Sequence, residues 1–356
     1  MRLSSLDTLR AMAAVAVVMI HVSAATLLSA PAHTRGFQAA GFVNQWSRFA
    51  LPAFVLITGA GLFYSYGQRQ DFSAKRYFVR RLASLGIPYL FWSLVYFGVY
   101  RVVEQDFSML LPRLLLALAT ASAVYTFYYF IIIVPFYLLF PVIRPLARSR
   151  WLGLVALMAV LGNGFLVWFG FPHPKIDLGP VLSEIYPYGG NTPLWWMGPF
   201  FMGAWLAARW DAASAFLRRY WLVLLTAAAV LFVWVMKEFQ AYVEIGKLAY
   251  VATNFRPSTY TYGLIFILAL LGMGMMLAEH GGWLKNLIDS FAKYSFAIYL
   301  IHPLVMQFTT KALGLLNIGG LTYFVLQGTL VLALSYPIAW IIEKVPGGSW
   351  LIGVRS

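Results

Sequence analysis

Of the chain's 356 residues, 61% are hydrophobic and only 11% are charged, whereas an ordinary soluble domain is about 45–50% apolar and about one quarter charged. This composition excludes a water-soluble globular domain and predicts a protein embedded in a lipid bilayer. The chain has no cysteine, which excludes structural disulfides, thiolate metal sites and a cysteine nucleophile, and we assign no metal site.

The formal net charge of +14 has two possible explanations, nucleic-acid binding or an excess of Lys and Arg in cytoplasmic loops. No nucleic-acid-binding motif accompanies the charge, and membrane proteins concentrate Lys and Arg on the cytoplasmic side. We therefore expect the lipid bilayer, and no nucleic acid, as a partner.

Apolar runs of about 20 residues, the length that a helix needs to cross a bilayer, recur from end to end. They predict an all-α, polytopic integral membrane protein of about ten transmembrane helices, in a single domain over residues 1–356. The first run contains Arg10 and His21 and has no small-residue cleavage site before Pro31, so we interpret it as a retained helix. The predicted spans are 9–30, 46–66, 84–103, 126–143, 151–171, 194–209, 221–236, 258–278, 294–312 and 321–342.

The Lys and Arg residues also predict the orientation. With both termini in the cytoplasm, most of them fall in inner loops. Segment 109–122 is too short for a span, and we interpret it as an interfacial or re-entrant helix on the outer side. If it crossed the bilayer, Arg144, Arg148 and Arg150 would lie outside.

Three longer outer segments, 31–45, 172–193 and 237–257, contain Pro, Gly, aromatic residues and scattered charges. Such loops either cover a binding cavity or are ordinary connectors.

Charged and ionisable side chains inside a membrane helix are expensive, and by default they mark a pathway or a reaction site. Arg10 and His21 are eleven positions apart in the first span, which is three helical turns plus about 20° and about 16 Å along the axis. Both side chains therefore project from one face. The spacing suits an elongated anionic donor. In the alternative interpretation, His21 bonds to a neighbouring helix and Arg10 extends to the lipid headgroups.

The segment LDTLRAMAAVAVVMIH at 6–21 resembles the opening signature of the acyltransferase-3 family of membrane acyltransferases, in which an Arg and a His on the first helix are separated by ten residues. Six further segments resemble family motifs in the expected order, so the likeness covers essentially the whole chain. They are RFALPAFVLITG (48–59), KRYFVRRLASLGIPYLFWSLVY (75–96), YTFYYFIIIVPFYLLFPVIRP (125–145), FFMGAWLA (200–207), YSFAIYLIHPLV (294–305) and IEKVPGGSWLIG (342–353).

The resemblance implies transfer of an acyl group, most commonly acetyl, from acyl-CoA to a hydroxyl of a glycan or lipid-linked saccharide. It also implies a multi-pass protein of a bacterial-type inner membrane. Acyl-CoA, most commonly acetyl-CoA, would be a co-substrate, with no tightly bound cofactor. Glycan biosynthesis or export proteins would be possible partners. Since some relatives append a soluble hydrolase-like domain and this chain ends soon after the tenth span, we expect it to work alone or with a separate partner.

Within this family likeness, His21 is the candidate catalytic base, because an imidazole with an unperturbed pKa of about 6.5 can take a proton from a sugar hydroxyl. Arg10 is the candidate contact for the pantetheine or phosphates of CoA, because the planar guanidinium of Arg can donate two parallel hydrogen bonds to phosphate oxygens. A basic cytoplasmic patch is expected to hold the remaining phosphates, although plain positive-inside topology explains it equally well. Its members are Lys75, Arg76, Arg80 and Arg81.

Four residues are candidates for binding the acceptor. Arg48 either contacts the acceptor or anchors a helix at the interface, and His302, before Pro303, either lines the cavity or fixes helix packing. Many family members carry a His and a Trp where this chain has Thr126 and Tyr128, so the acceptor-orienting role would fall to those two residues. The family also often has an Arg just before Pro88, which this chain lacks.

Two other function classes fit a protein of this kind. A transporter or flippase would also bury Arg and His, but we see no inverted repeat, and the acidic residues fall at or beyond the ends of the spans. A non-catalytic subunit of a polysaccharide export complex would predict that replacing His21 leaves the product unchanged. The acceptor, and the choice between an acetyl and a succinyl donor, stay open.

Overall fold

A computed structural model describes residues 4–170, 190–316 and 318–354, and these residues form helices and connecting turns without a β-strand. The all-α class is therefore confirmed for this part of the chain. The helices are α1 Ser4–Ser29, α2 Arg35–Trp46, α3 Ala50–Leu62, α4 Ala74–Arg81, α5 Ile87–Glu104, α6 Leu110–Ala119, α7 Tyr128–Ile143, α8 Leu152–Gly170, α9 Met197–Ala208, α10 Trp210–Glu244, α11 Leu248–Val251, α12 Pro257–His280, α13 Gly282–Gly314, α14 Gly320–Lys344 and α15 Gly348–Leu351.

Eight of the described helical segments are long and apolar enough to cross a membrane, which supports a polytopic membrane protein. Two predicted spans do not meet that standard. The twelve residues of α9 extend only about 18 Å, less than the roughly 30 Å of a hydrocarbon core. The 33 residues of α13 are long enough but less apolar. The count of ten, and the cytoplasmic position of both termini, stay predictions.

Helix α6 has ten residues and is about 15 Å long, too short to cross the bilayer, as predicted for segment 109–122. Its place on the outer side stays a prediction. Helix α10 has 35 residues, far more than the predicted span at 221–236, and it takes up part of the predicted outer segment 237–257. The predicted outer segment 172–193 lies mostly outside the described residues.

The predicted outer segment 31–45 is largely helical. The Thr34 hydroxyl accepts a hydrogen bond from the Phe37 backbone N–H at 3.3 Å and so caps the start of α2. A short 3₁₀ turn at Ser47–Phe49 then leads directly into α3, so Arg35–Gly67 is one continuous helical segment. This continuity matters because it places Arg48 inside a helical segment, one turn after Asn44.

Helix α1 lies at the centre of the fold, in contact with α2, α3, α12, α13 and α14. Small residues allow other helices to approach closely as well. A Cβ added at Gly59 of α3 would lie 2.1 Å from the Phe200 carbonyl oxygen of α9, and one at Gly203 would lie 2.1 Å from the Leu56 carbonyl oxygen. These two glycines therefore permit the close approach of α3 and α9.

Candidate active site

A cavity of about 550 Å³ lies between α1, α3, α7 and α13, and we call it the main cavity. Its wall includes one stripe of α1, formed by Arg10, Val17, His21 and Ala24, whose spacing of seven, four and three residues is that of one helix face. The Arg10 and His21 side chains therefore border the same space.

A smaller adjoining cavity shows where the two ends of the main cavity lie. Ala24 of α1 and Arg48 also border a smaller cavity of about 170 Å³, so they lie at the same end. Arg10 is fourteen residues before Ala24 and thus about 21 Å away along the axis of α1. His21 lies between these two ends, nearer to Arg48.

The His21 ring makes aromatic contacts with two neighbouring rings. It meets the Tyr125 ring edge-on, with centroids 5.0 Å apart, and stacks on the His302 ring at 5.3 Å with an interplanar angle of 24°. Among the described residues it has no hydrogen-bond partner. Its ring nitrogens are therefore available to a molecule in the main cavity.

His302 is fully buried and does not border the main cavity. Its Nδ1 lies 2.9 Å from the Tyr299 carbonyl oxygen and 3.1 Å from that of Ile298. Both carbonyls only accept, so Nδ1 carries the proton. Because Pro303 has no N–H to offer Tyr299, the His302 ring supplies the missing donor. Of the two interpretations of His302, this geometry favours helix packing, with the ring behind His21 and not in the acceptor's path.

Hydrogen bonds from α5 also hold the turn of α13 around Pro303. The Tyr96 hydroxyl donates to the Leu300 carbonyl oxygen at 2.6 Å and accepts from the Leu304 backbone N–H at 3.3 Å. Tyr96 is 1% exposed, so these bonds form away from solvent. The turn of α13 that carries His302 is therefore tied to a neighbouring helix, and through the ring stack so is His21.

At the Arg10 end, the Arg10 guanidinium pairs with Asp7 at 2.6 Å, one turn earlier on α1. Arg81 borders the main cavity near Ser65, and its guanidinium donates to the Tyr66 hydroxyl at 3.3 Å. Ser65 is seventeen residues after Arg48 in the same helical segment, or about 25 Å away. Arg10 and Arg81 therefore both lie at the end opposite Arg48.

The Arg81 guanidinium also lies over three tyrosine rings, those of Tyr66, Tyr77 and Tyr137, at 5.5, 5.7 and 5.4 Å from their centroids. Cation–π contacts of this kind fix the position of a guanidinium without neutralising its charge. Arg81 thus presents a fixed positive charge beside the main cavity.

The rest of the predicted basic patch does not reach the main cavity. Lys75, Arg76 and Arg80 are exposed on α4. Arg80 borders a separate cavity together with Trp350, and the Arg76 guanidinium donates to the Asp71 backbone carbonyl at 3.4 Å. Only Arg81 of the four lines the main cavity, and a role for the other three in CoA binding stays a prediction.

Arg48 is only 8% exposed, and its Nη2 donates to Asn44 Oδ1 at 2.6 Å. No described carboxylate pairs with it, and its Nε has no partner. Thr126 and Tyr128 border the main cavity with Arg48, while the Thr126 carbonyl accepts from the Tyr299 hydroxyl at 2.7 Å. Three of the four predicted acceptor residues, Arg48, Thr126 and Tyr128, are thus brought together.

Sequence analysis missed a buried polar network beside Arg48. Arg256 is fully buried; it pairs with Glu238 at 3.2 Å and donates to Gln45 Oε1. Gln45 Nε2 donates to the Val251 carbonyl oxygen at 3.1 Å, and the Ser258 hydroxyl donates to Glu238. Most of these residues fall in a segment that reads as an outer loop. The only sequence signal was Pro257 at the start of an apolar helix.

The family model described as an acyltransferase domain, that of the acyltransferase-3 family, matches residues 3–343. A probable poly-beta-1,6-N-acetyl-D-glucosamine export protein of Staphylococcus aureus (strain MSSA476) is 22% identical over 313 residues, which cover 86% of this chain and 82% of that protein. A protein of the same name from Staphylococcus epidermidis is 27% identical over 130 residues, which cover 35% of this chain and 33% of that protein. No solved structure is significantly similar to the chain.

Proposed function

We propose that this chain, which belongs to the acyltransferase-3 family, transfers an acyl group from acyl-CoA to a hydroxyl of a glycan or lipid-linked saccharide. Acetyl is the first candidate for the acyl group. The proposal is carried by the position of His21 in the wall of the main cavity, between Arg10 at one end and Arg48 at the other. A base whose ring nitrogens bond to no described residue lies where a donor entering from one end would meet an acceptor entering from the other.

The donor enters from the Arg10 end. CoA is anionic, and Arg10 and Arg81 supply two guanidinium groups at that end, where paired N–H donors suit phosphate oxygens. The exposed cations of α4, Lys75, Arg76 and Arg80, extend the positive surface beyond the cavity. If the orientation inferred from the Lys and Arg residues is right, this end faces the cytoplasm of a bacterial-type inner membrane, where acyl-CoA is made.

His21 acts as the general base. The acceptor oxygen forms a bond to the thioester carbonyl carbon while its proton passes to a His21 ring nitrogen. When the carbon–sulfur bond breaks, His21 returns that proton to the departing thiolate, which gives free CoA and an ester. A positioned base contributes about 10²–10⁴-fold to such a step.

The test uses purified protein, acetyl-CoA and a short β-1,6-linked N-acetylglucosamine oligosaccharide, and mass spectrometry measures the transfer. This saccharide is the one that appears in the names of the staphylococcal relatives. His21→Ala should bind acetyl-CoA normally and lose about 10²–10⁴-fold in turnover. His280→Ala is the matched control, because His280 is exposed at the end of α12 and bonds only to the Met276 carbonyl among the described residues. If His21→Ala keeps more than about a tenth of the wild-type turnover, the base lies elsewhere.

The names of the two relatives favour a second candidate function, export of a polysaccharide. The glycan made by cells that carry His21→Ala distinguishes acyl transfer from export. If the chain is an acyltransferase, the glycan still reaches the cell surface but lacks the acyl group. If it is an exporter that does no chemistry, the glycan composition is unchanged and only its amount outside the cell varies.

A further inference from the structure

A second chamber of about 390 Å³ adjoins the main cavity, and Arg48, Tyr128 and Asn254 border both. We infer that this second chamber holds the saccharide acceptor and that Asn254 hydrogen-bonds its hydroxyl groups. The inference rests on the proposed function, because it names the site from which the acceptor hydroxyl would reach His21.

The lining of the second chamber matches the chemistry of a sugar. Trp195, Trp196 and Phe255 form an aromatic cluster, with the Phe255 ring 4.9 and 5.2 Å from the two indoles. The faces of such rings carry partial negative charge and attract the C–H groups of a pyranose. Asn191 and Thr253 add amide and hydroxyl groups. Ligand sites commonly combine aromatic walls with a few placed polar groups in this way.

The charge of the lining argues for a neutral or acidic ligand. Arg48 is the single ionisable cation among the described residues that border the second chamber, and no carboxylate is among them. A cationic ligand would therefore meet repulsion from Arg48, which no carboxylate among the described lining residues compensates. A polyhydroxylated ligand can accept hydrogen bonds from the guanidinium, which has five N–H donors and no acceptor.

Asn254 is the residue that best fits direct contact. Its amide makes no hydrogen bond to a described residue, and its Oδ1 is buried. Leaving a buried polar group unpaired is unfavourable. A sugar hydroxyl both donates and accepts, so neighbouring hydroxyls could bond to Asn254 and Arg48 together.

The backbone on both sides of Asn254 is fixed by the buried network. Gln45 binds the Val251 carbonyl oxygen three residues before it, and Arg256, two residues after it, is held by Glu238 and Gln45. A residue held at both sides loses little further freedom when it binds, and such support is typical of sites that must position a ligand. The network thereby acquires a function: it positions Asn254 at the junction of the two cavities.

The experiment measures binding without turnover. Isothermal titration of the short β-1,6-linked N-acetylglucosamine oligosaccharide into purified protein, with no acyl-CoA present, should show an affinity that falls about tenfold or more in Asn254→Leu, whose side chain is branched at the same carbon but has no amide. Acetyl-CoA affinity should change by less than about twofold, which also shows that the variant is folded. Asn286→Leu is the control, because Asn286 is exposed and borders neither cavity.

Three results would overturn the inference: no measurable oligosaccharide binding by the unsubstituted protein, equal binding by Asn254→Leu, or a parallel loss of acetyl-CoA affinity. Failure of the proposed function looks different. A protein that binds the oligosaccharide through Asn254 but transfers no acyl group would refute the acyltransferase and leave the site intact. Normal transfer with unchanged Asn254→Leu affinity would refute the site alone.

Discussion

Removing one hydroxyl, in Tyr96→Phe, tests how the structure positions the candidate base. The hydroxyl links α5 to the turn of α13 around Pro303 through the Leu300 carbonyl at 2.6 Å and the Leu304 N–H at 3.3 Å. Phenylalanine keeps the ring and its packing, so the loss is confined to these two hydrogen bonds. Neither of the two residues bonded to the hydroxyl, Leu300 and Leu304, borders the main cavity.

Interhelical hydrogen bonds in membrane proteins contribute about 0.6 kcal/mol on average and about 1.7 kcal/mol at most. Two of them give about 1.2 kcal/mol, and a buried N–H or C=O left without a partner adds to this figure. We therefore expect Tyr96→Phe to lower the free energy of unfolding by about 1–2 kcal/mol. Turnover should also fall, by less than in His21→Ala, because His302 and the stacked His21 ring shift when this turn of α13 is held less firmly.

The assay is equilibrium unfolding of purified protein by dodecyl sulfate in mixed micelles, followed by circular dichroism. Tyr100→Phe is the matched control: Tyr100 lies one turn further along α5, its ring is 6.4 Å from that of Tyr96, and it makes no hydrogen bond to a described residue. It should change stability by less than about 0.5 kcal/mol. If the two variants unfold alike, the Tyr96 hydroxyl does not hold this turn of α13, and the account of how His21 is positioned is wrong.

Three other measurements test the donor site, the helix packing and the topology. Arg10→Ala should weaken acetyl-CoA binding by about ten- to a hundredfold, because a contact to an anionic phosphate is lost, and should change oligosaccharide binding little. If the variant binds acetyl-CoA as tightly as the unsubstituted protein, Arg10 is not part of the donor site. Gly59→Ala should lower the free energy of unfolding by about 1–3 kcal/mol or more, since its Cβ meets the α9 backbone. Gly98→Ala is the control, because its Cβ meets nothing within 4 Å. Similar unfolding curves for the two variants would contradict the close approach of α3 and α9. A cysteine placed at Arg148 should resist labelling from outside intact cells, because positive-inside topology puts it in the cytoplasm, and ready labelling would reverse the orientation.

Sequence reasoning succeeded where a helical period carries the signal. The prediction that Arg10 and His21 lie on one helix face followed from their spacing alone, and Arg48 became a candidate because it begins a segment that resembles a family motif. The same reasoning assigned four basic residues of α4 to one patch, although only Arg81 lines the main cavity. The pattern of Tyr77, Arg81 and Leu85, four residues apart, would have separated it from the others, because these residues share one helix face.

The rest of the candidate site depends on contacts between distant segments. Gln45 and Val251 are 206 positions apart, and Tyr96 and Leu300 are 204 apart. No local pattern reports such pairs. Asn254 is neutral, lies outside any regular helix and carries no motif, so its place at the junction of the two cavities follows only from how the buried network folds the chain around it.

The position of His21 also bears on how an acyl group would cross the membrane. The main cavity follows α1 for about 21 Å, from Arg10 to Ala24, which is a large part of the roughly 30 Å hydrocarbon core. A donor anchored by its phosphates at the Arg10 end would need only its thioester end to reach His21, eleven residues along the helix. If the acceptor enters from the Arg48 end, the acyl group passes from carrier to hydroxyl inside the protein. We therefore expect transfer without a free or protein-bound acyl intermediate, and rapid-quench analysis should find acyl label on CoA and on the glycan but not on the protein. Acyl label bound covalently to the chain at single turnover would show that a residue carries it.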